Sequence, residues 1–361
     1  MFEGLFSTTI WLNVTSIFAI LYAIYLCSHS DDKLLKGSSI NIISIIIVVL
    51  TTIYIGTRPI TSYGDTWLYT LEFNLVQSGQ WLDFKTGSSE PFFHWIRNLC
   101  VELTDASGWL FVVTLFYILC MSFAAYRWLP KHTLIALIFL FTAFSFWGYA
   151  TNGIRNGMAT SIAMLGLSFF AHNKKEMIIG YALLILASTT HKSCMLIIVA
   201  ATAALFLKNT KTNVSIWLFC IVLGLIFQEQ FKVLFSGIVD DERLASYLNQ
   251  KADKETFSQT GFRWDFLLYS ALPILIGRFA IIKQQAINKT YAFILHTYIF
   301  SNCFWVLINT AAYSNRFAYL SWFLYPIVLI YPFCKFNFMK NQSVILGLLL
   351  IGMIAFTYFM E

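Results

Sequence analysis

Apolar stretches of about twenty residues recur along the whole chain, each closed by a short polar break. A helix of that length rises about 30 Å, the thickness of a bilayer's hydrocarbon core. Inside that core no water is present to satisfy backbone N–H and C=O groups, so a crossing segment must satisfy its own as a helix. Composition agrees: of 361 residues, 58% are hydrophobic and only 12% charged, and the mean hydropathy is +0.69. A soluble domain of this length has too little interior to hide so much apolar surface. The sequence therefore reads as an all-α polytopic membrane protein, a single integral membrane domain over residues 1–361. It carries no low-complexity tract and no internal repeat.

Other classes are excluded in turn. The seven cysteines are scattered, mostly inside apolar runs, and none shows CxxC or Cys/His spacing. Neither a disulfide framework nor a metal site is indicated. No cofactor and no nucleic-acid partner is expected. The first apolar run follows Glu3 instead of a basic segment and precedes no small-residue cleavage site, so it is read as a span and not a cleaved leader.

Predicted spans cover about 10–27, 38–56, 107–126, 133–150, 154–171, 177–190, 193–207, 213–230, 264–281, 290–309, 317–334 and 341–359. Six connections are rich in Lys and Arg: Lys33/Lys36, Arg127/Lys131, Lys174/Lys175, Lys208/Lys211, Arg278/Lys283/Lys289 and Lys335/Lys340. Short basic loops stay cytoplasmic. An even number of crossings separates each pair of them, which predicts about twelve crossings with both termini outside. Residues 177–207 then form a short broken pair with His191 at its apex, or a re-entrant hairpin. Two long external loops remain, 57–106 and 231–263. The first is rich in aromatic residues and reads as a structured interfacial element.

The external side is unusually cationic. Arg58, Arg97, Arg155, Lys192, Arg243, Arg263 and Arg316 all fall there, and four of them open helices that run inward: Arg155, Lys192, Arg263 and Arg316. A helix N-terminus already carries about half a positive charge, so a cation there costs a few tenths of a kcal/mol. A bound anion reverses the sign of both terms. The ordinary alternative is that a lone Arg snorkels to headgroups. For Arg155 the surroundings favour function: in Thr151-Asn152-Gly153-Ile154-Arg155-Asn156-Gly157, Asn152 is placed to cap the helix and two glycines permit close approach.

Among the external carboxylates, most read as solvated, Asp240-Asp241-Glu242 above all. Asp65 stands apart, followed by Trp67 and Tyr69 as stacking partners for a sugar ring. Glu90 precedes Pro91-Phe92-Phe93 at a helix start, where an N-cap role competes with a functional one. Of the histidines, His29, His132 and His172 read as interface residues and His296 as a packing residue. His191, at the apex of a broken helix pair beside Lys192 and Ser193, is the leading imidazole for proton transfer.

The order Arg58, Gly64-Asp65, Tyr69, Glu90-Pro91, Asn152-x-x-Arg155-Asn156-Gly157-x-Ala159, His191-x-Ser193 and Arg316 resembles the EpsG family, related to Wzy-type polysaccharide polymerases. That resemblance covers roughly 55–320. It implies a GT-C-like glycosyltransferase of the bacterial inner membrane. Such an enzyme joins undecaprenyl-diphosphate-linked oligosaccharide repeats, donor and acceptor alike, at the periplasmic face, without metal. On this reading Arg155, Arg58 and Arg316, with Lys192, Asn152 and Asn156, bind the diphosphate. His191 or Asp65 serves as the base, Glu90 joins the catalytic set, and Trp67 and Tyr69 bind sugar. A flippase and a chain-length regulator of the same pathway are the expected partners, besides membrane lipid. Competing readings are an O-antigen ligase, a membrane acyltransferase, and a non-enzymatic flippase or transporter. The last predicts mid-helix charges and repeat symmetry, and the span interiors carry almost none of the former.

Overall fold

The computed structural model describes residues 6–38, 42–60, 64–80, 90–170, 173–238, 261–283, 288–311 and 314–360. Among them every regular element is helical. In chain order these are α1 (Thr8–Cys27), α2 (Asp31–Lys36), α3 (Ile42–Gly56), α4 (Gly64–Gln77), α5 (Pro91–Leu103) and α6 (Ala106–Trp128). There follow α7 (Thr133–Phe141), α8 (Phe144–Thr151), α9 (Ile154–Leu167), α10 (Lys174–Thr190), a 3-10 turn (Lys192–Cys194) and α11 (Met195–Phe206). The remainder are α12 (Thr210–Ile238), α13 (Trp264–Lys283), α14 (Lys289–Leu307), α15 (Ser314–Trp322), α16 (Tyr325–Lys335) and α17 (Gln342–Met360).

The predicted spans fall on helices, 133–150 and 317–334 each on two, and their lengths differ from expectation. Six segments are long and apolar enough to cross a bilayer: Thr8–Cys27, Ala106–Trp128, Thr210–Phe235, Trp264–Lys283, Arg316–Lys335 and Gln342–Met360. A seventh is reached if α7 and α8, bent by 69° at their break, count as one broken span. The 14 residues of α9 rise only about 21 Å, short of the core thickness. The Lys192–Phe206 and Ile42–Gly56 segments are apolar but likewise short. The predicted loop 57–106 contains α4 and α5, and its residues 81–89 lie outside the described set, as do Arg243, His172 and the Asp240-Asp241-Glu242 run.

The chain packs as two compact units, Met1–Met195 with Ile330–Glu361, and Leu196–Leu329. In the first unit α6 packs against α3 and α9, α9 against α10, and α1 against α17. Side-chain caps start several helices: Asp105 accepts from Gly108 N–H, and Asn173 from Glu176 N–H. The basic connections of this unit meet at one end. Ser38 N–H donates to Lys131 O at 2.9 Å, His132 Nε2 hydrogen-bonds Leu34 O at 2.8 Å, and Arg127 pairs with Glu176 at 2.7 Å. In the second unit α12 and α14 pack along their length, with α13 and α15 against α14. His296, expected to be a packing residue, hydrogen-bonds Thr210 at 2.9 Å. Trp217 Nε1–H donates to Asn302 Oδ1 at 2.8 Å, and Asn302 Nδ2–H to Ser321 at 3.0 Å.

Apolar side chains gain little from leaving lipid for a helix interface, so helix pairing depends on close backbone approach. The α9–α10 contact is made this way: a Cβ on Gly180 would sit 2.9 Å from Gly166 O and 2.6 Å from the Phe170 ring. Gly180→Leu should therefore force the two helices apart, at a cost of about 1–3 kcal/mol typical of overpacking. The check is the thermal midpoint of detergent-solubilised protein, which should fall by several degrees, whereas Ile178→Leu, at an exposed position, should leave it unchanged.

Candidate functional site

At the other end of the first unit, away from its basic connections, three segments distant in sequence converge on one carboxylate. Pro91 opens α5 and Glu90 occupies its N-cap position. A cap acid ordinarily turns onto the free N–H groups of the first turn, but Glu90 makes no side-chain cap bond. One carboxylate oxygen instead accepts from His191 Nδ1–H, and the other from Arg155 Nη1 at 2.6 Å. The Glu90 side chain is only 8% exposed. Burial pushes its carboxyl up, but the hydrogen bond and charge of His191, with Arg155 beside it, outweigh that and bring it to about 2.

Each partner is delivered by a break in a helix. α8 ends at Thr151 and α9 begins at Ile154, placing Arg155 in the first turn. The turn is tight enough that a Cβ on Gly157 would lie 2.5 Å from Tyr149 O. The expected cap is corrected here: Gly153, not Asn152, is the N-cap of α9 and no side chain caps it. Asn152 is exposed and its N–H closes α8 on Gly148 O. His191 ends α10 in extended conformation before the 3-10 turn, an interruption that turns the imidazole toward Glu90. Ser193 Oγ–H donates to Asn156 Oδ1 at 3.2 Å, tying this turn to α9.

Arg155 is further fixed from α4. Its Nε–H donates to the Tyr69 oxygen at 3.0 Å, and its guanidinium lies 5.1 Å from the Tyr69 ring centre and 5.8 Å from that of Phe93. Trp109 of α6 backs both rings edge-on and stacks on Phe73 at 5.4 Å. Burial raises the Tyr69 phenol, against the pull of Arg155, and the charges of Asp65 and Glu90 raise it further. Among the described residues Arg155 Nη2 and His191 Nε2 make no hydrogen bond, so a guanidinium edge and an imidazole nitrogen stay open beside a shared carboxylate. A carboxylate acceptor holds the imidazole proton on Nδ1 and leaves the lone pair on Nε2.

The expected site residues thus divide. Glu90, Arg155, His191, Tyr69 and Asn156 come together, with Asp65 half-buried in the first turn of α4 and Lys192 half-buried next to His191. Trp67, on α4, is 48% exposed. Arg58 is only 2% exposed and acts as a tie. Its Nη1 donates to Ile55 O at 2.9 Å and Thr114 Oγ1 at 3.1 Å, and its Nε to Thr66 Oγ1. Thr66 in turn donates to Thr151 O, the last residue of α8. Arg97, 1% exposed, is likewise internal, paired with Glu72 between α5 and α4. Arg316 opens α15 in the second unit. Sequence reasoning missed the Glu72–Arg97 clasp and the Tyr69 hydroxyl as a ligand of Arg155. The carboxyl and phenol stand three residues apart on α4, on one helical face, which was the signal available. Among the described residues no group of three or more His, Cys, Asp or Glu side chains is placed to hold a metal ion.

The chain matches the EpsG family over residues 41–360 and belongs to it, a family of membrane proteins of polysaccharide biosynthesis. It matches no curated protein and no solved structure.

The low Glu90 value fixes the sign of a pH effect. A carboxyl held at about 2 against an ordinary 4.5 lends stability that is complete above 4.5 and is lost as the pH falls toward 2. Thermal midpoints in detergent should therefore drop more steeply between pH 4.5 and pH 3 in the wild type than in Glu90→Gln. At pH 7 the variant should be the less stable of the two.

Proposed function

We propose that this EpsG-family protein is a metal-independent membrane glycosyltransferase of the polymerase type. It joins oligosaccharide repeats carried on a polyprenyl diphosphate such as undecaprenyl diphosphate. The observation that carries this reading is Glu90 bridging His191 and Arg155. It sets a base and an anion-binding edge side by side at the end of the unit away from the basic connections. With short basic loops held in the cytoplasm, that end faces the periplasm of a bacterial inner membrane. The broken α7–α8 pair, with α3, α9, α10, α11 and α14, then completes about twelve crossings in a GT-C-like arrangement.

In the reaction the acceptor hydroxyl attacks the anomeric carbon of the donor sugar. The bond from that carbon to the diphosphate oxygen breaks, and its electron pair leaves with the diphosphate. The hydroxyl proton passes to His191 Nε2, while Glu90 keeps Nδ1 protonated and stabilises the imidazolium that forms, the role of an orienting carboxylate. Charge grows on the leaving diphosphate, and the open Nη2 edge of Arg155, held by Tyr69 and Glu90, meets it without reorganisation. Lys192, Asn156 and the Gly153–Gly157 turn line the same place. Asp65 adds negative field near Tyr69 instead of a second base. Arg58 holds α3, α4, α6 and α8 in register and reaches no ligand itself. Trp67 offers a ring to sugar from the exposed face of α4.

Surface-polysaccharide gels of cells lacking the gene, complemented with variants, test this reading. Arg155→Ala and His191→Ala should each restore only single-repeat glycan at normal protein level. A loss of about 10²- to 10³-fold is typical for a transition-state donor or a general base. Glu90→Gln should fall between those variants and wild type. Long chains in Arg155→Ala would overturn the assignment, and loss of all attached glycan in the null would favour a ligase or a flippase.

A further inference from the structure

The helices that reach the Glu90–Arg155–His191 centre set its depth. α6, α9 and α10 share one end, where Arg127 pairs with Glu176 at 2.7 Å and lies 3.7 Å over the Phe169 ring. From that end α9 and α10 run to the centre, with Arg155 in the first turn of α9 and His191 closing α10. Their 14 and 17 residues rise about 21 and 25 Å, and any tilt shortens that height. α6, with 23 residues, rises about 34 Å from the same end. The hydrocarbon core is about 30 Å thick. With the basic end at or below the cytoplasmic boundary, the centre stops roughly 5–10 Å short of the outer boundary, which α6 reaches.

The missing height is supplied by α4 and α5, which climb from the centre to the outer end of α6. Tyr69 lies level with Phe93, ring centres 6.1 Å apart, and Glu72 clasps Arg97. Gln77 Nε2–H donates to Val101 O at 3.3 Å and to Thr104 O at 3.0 Å, so the two helices run in the same direction. At its inner end α5 sets Phe92 edge-on against Phe116, midway along α6, at 6.4 Å. At its outer end Thr104 leads into Asp105, the cap of α6.

What the two helices expose follows this ascent. On α4 the exposed residues are Trp67, Leu68 and Leu71 near the centre, then Asn74 and Gln77 further out. On α5 half-buried Phe92 and exposed Trp95, Leu99 and Leu103 form one outward stripe, and exposed Asn98 and Glu102 come only in the second half. The stripe continues onto α6, where Phe116 shares a face with exposed Leu119 and Phe123 on a segment long enough to cross the bilayer. We propose that α4 and α5 are half-helices embedded in the outer leaflet, and that the centre at their inner ends receives the diphosphate of a membrane-resident lipid carrier instead of a free one. The stretch expected as an external loop is on this view part of the membrane body. A carrier's lipid chain keeps its diphosphate near that depth, and lateral diffusion brings it to the centre. A free diphosphate must first shed its hydration and pass the apolar stripes. The depth follows from helix lengths and exposure; only the diphosphate as ligand rests on the polymerase reading.

The test uses full-length protein in lipid nanodiscs. Single cysteines are added at the outer level, Gln77→Cys and Glu102→Cys, and at the inner level, Leu68→Cys and Trp95→Cys. Each is treated with a charged maleimide, and labelling of the native cysteines is subtracted. The outer pair should react about tenfold faster or more, since a thiolate is disfavoured among acyl chains, and all four should react alike in SDS. Equal rates in nanodiscs would overturn the embedded position. Binding is then compared for farnesyl diphosphate and inorganic pyrophosphate, with protein-free discs subtracted. Wild type should bind farnesyl diphosphate about tenfold more tightly or better, because of its buried chain, and Arg155→Ala should lose it. Equal affinities, or tight binding that survives Arg155→Ala, would overturn the carrier assignment. Long chains in cells carrying Arg155→Ala, with the inner cysteines still protected, would sink the polymerase reading and leave the depth standing.

Discussion

A carboxylate can be withdrawn from water only if its charge is met, and Glu90 is met twice, by an imidazole and by a guanidinium. Removing one partner of such a buried group leaves an uncompensated charge, whose cost exceeds the value of any single surface pair. The first unit is organised around this requirement. His191 must be presented by an interruption after α10, Arg155 by the turn between α8 and α9, and Glu90 by the proline-led start of α5. A continuous helix at any of the three places would carry its side chain past the meeting point. The irregular backbone is tolerated because it is enclosed in protein and bordered by polar groups, as membrane depth demands.

The supporting layer follows from the same requirement. Tyr69 and Glu90 between them occupy two of the Arg155 donors, which orients the planar fork and leaves one edge outward. Arg58 and Arg97 hold the scaffold: one joins the end of α3 and the start of α4 to α6, the other clasps α5 to α4. Arginine suits such work because its planar fork can satisfy several acceptors on different helices at once. Arginine at this end of the unit therefore serves two purposes: Arg58 and Arg97 are buried ties between helices, while Arg155 keeps a guanidinium edge open.

Much of this was legible in sequence, and the limits have physical causes. Apolar run length places the helices because bilayer thickness fixes it. It does not separate a span from a shorter buried helix, which is why α9 and α10 read as crossings while their lengths fall short. Glu90, Arg155 and His191 each stood out as a polar residue at a helix boundary. Their meeting did not, since 65 residues separate Glu90 from Arg155 and 101 separate it from His191. Charge bookkeeping counted Arg58 and Arg97 with Arg155 because it records sign and not direction. Asn152 was placed for a cap by residue type, yet the chain uses Gly153, since the tight turn against Tyr149 leaves the asparagine facing outward.

The two units differ most in how they treat their cations. In the first, Glu90 is shared between two partners, so Arg155 is held but not fully occupied, and an arriving anion competes for nothing it must displace. In the second, Arg263 is taken up by its own Asp265 two residues on, and Lys232 by Glu229 three residues back. Local pairing of that kind cancels the field at the helix ends, so the second unit offers no cationic edge comparable to that of Arg155 there.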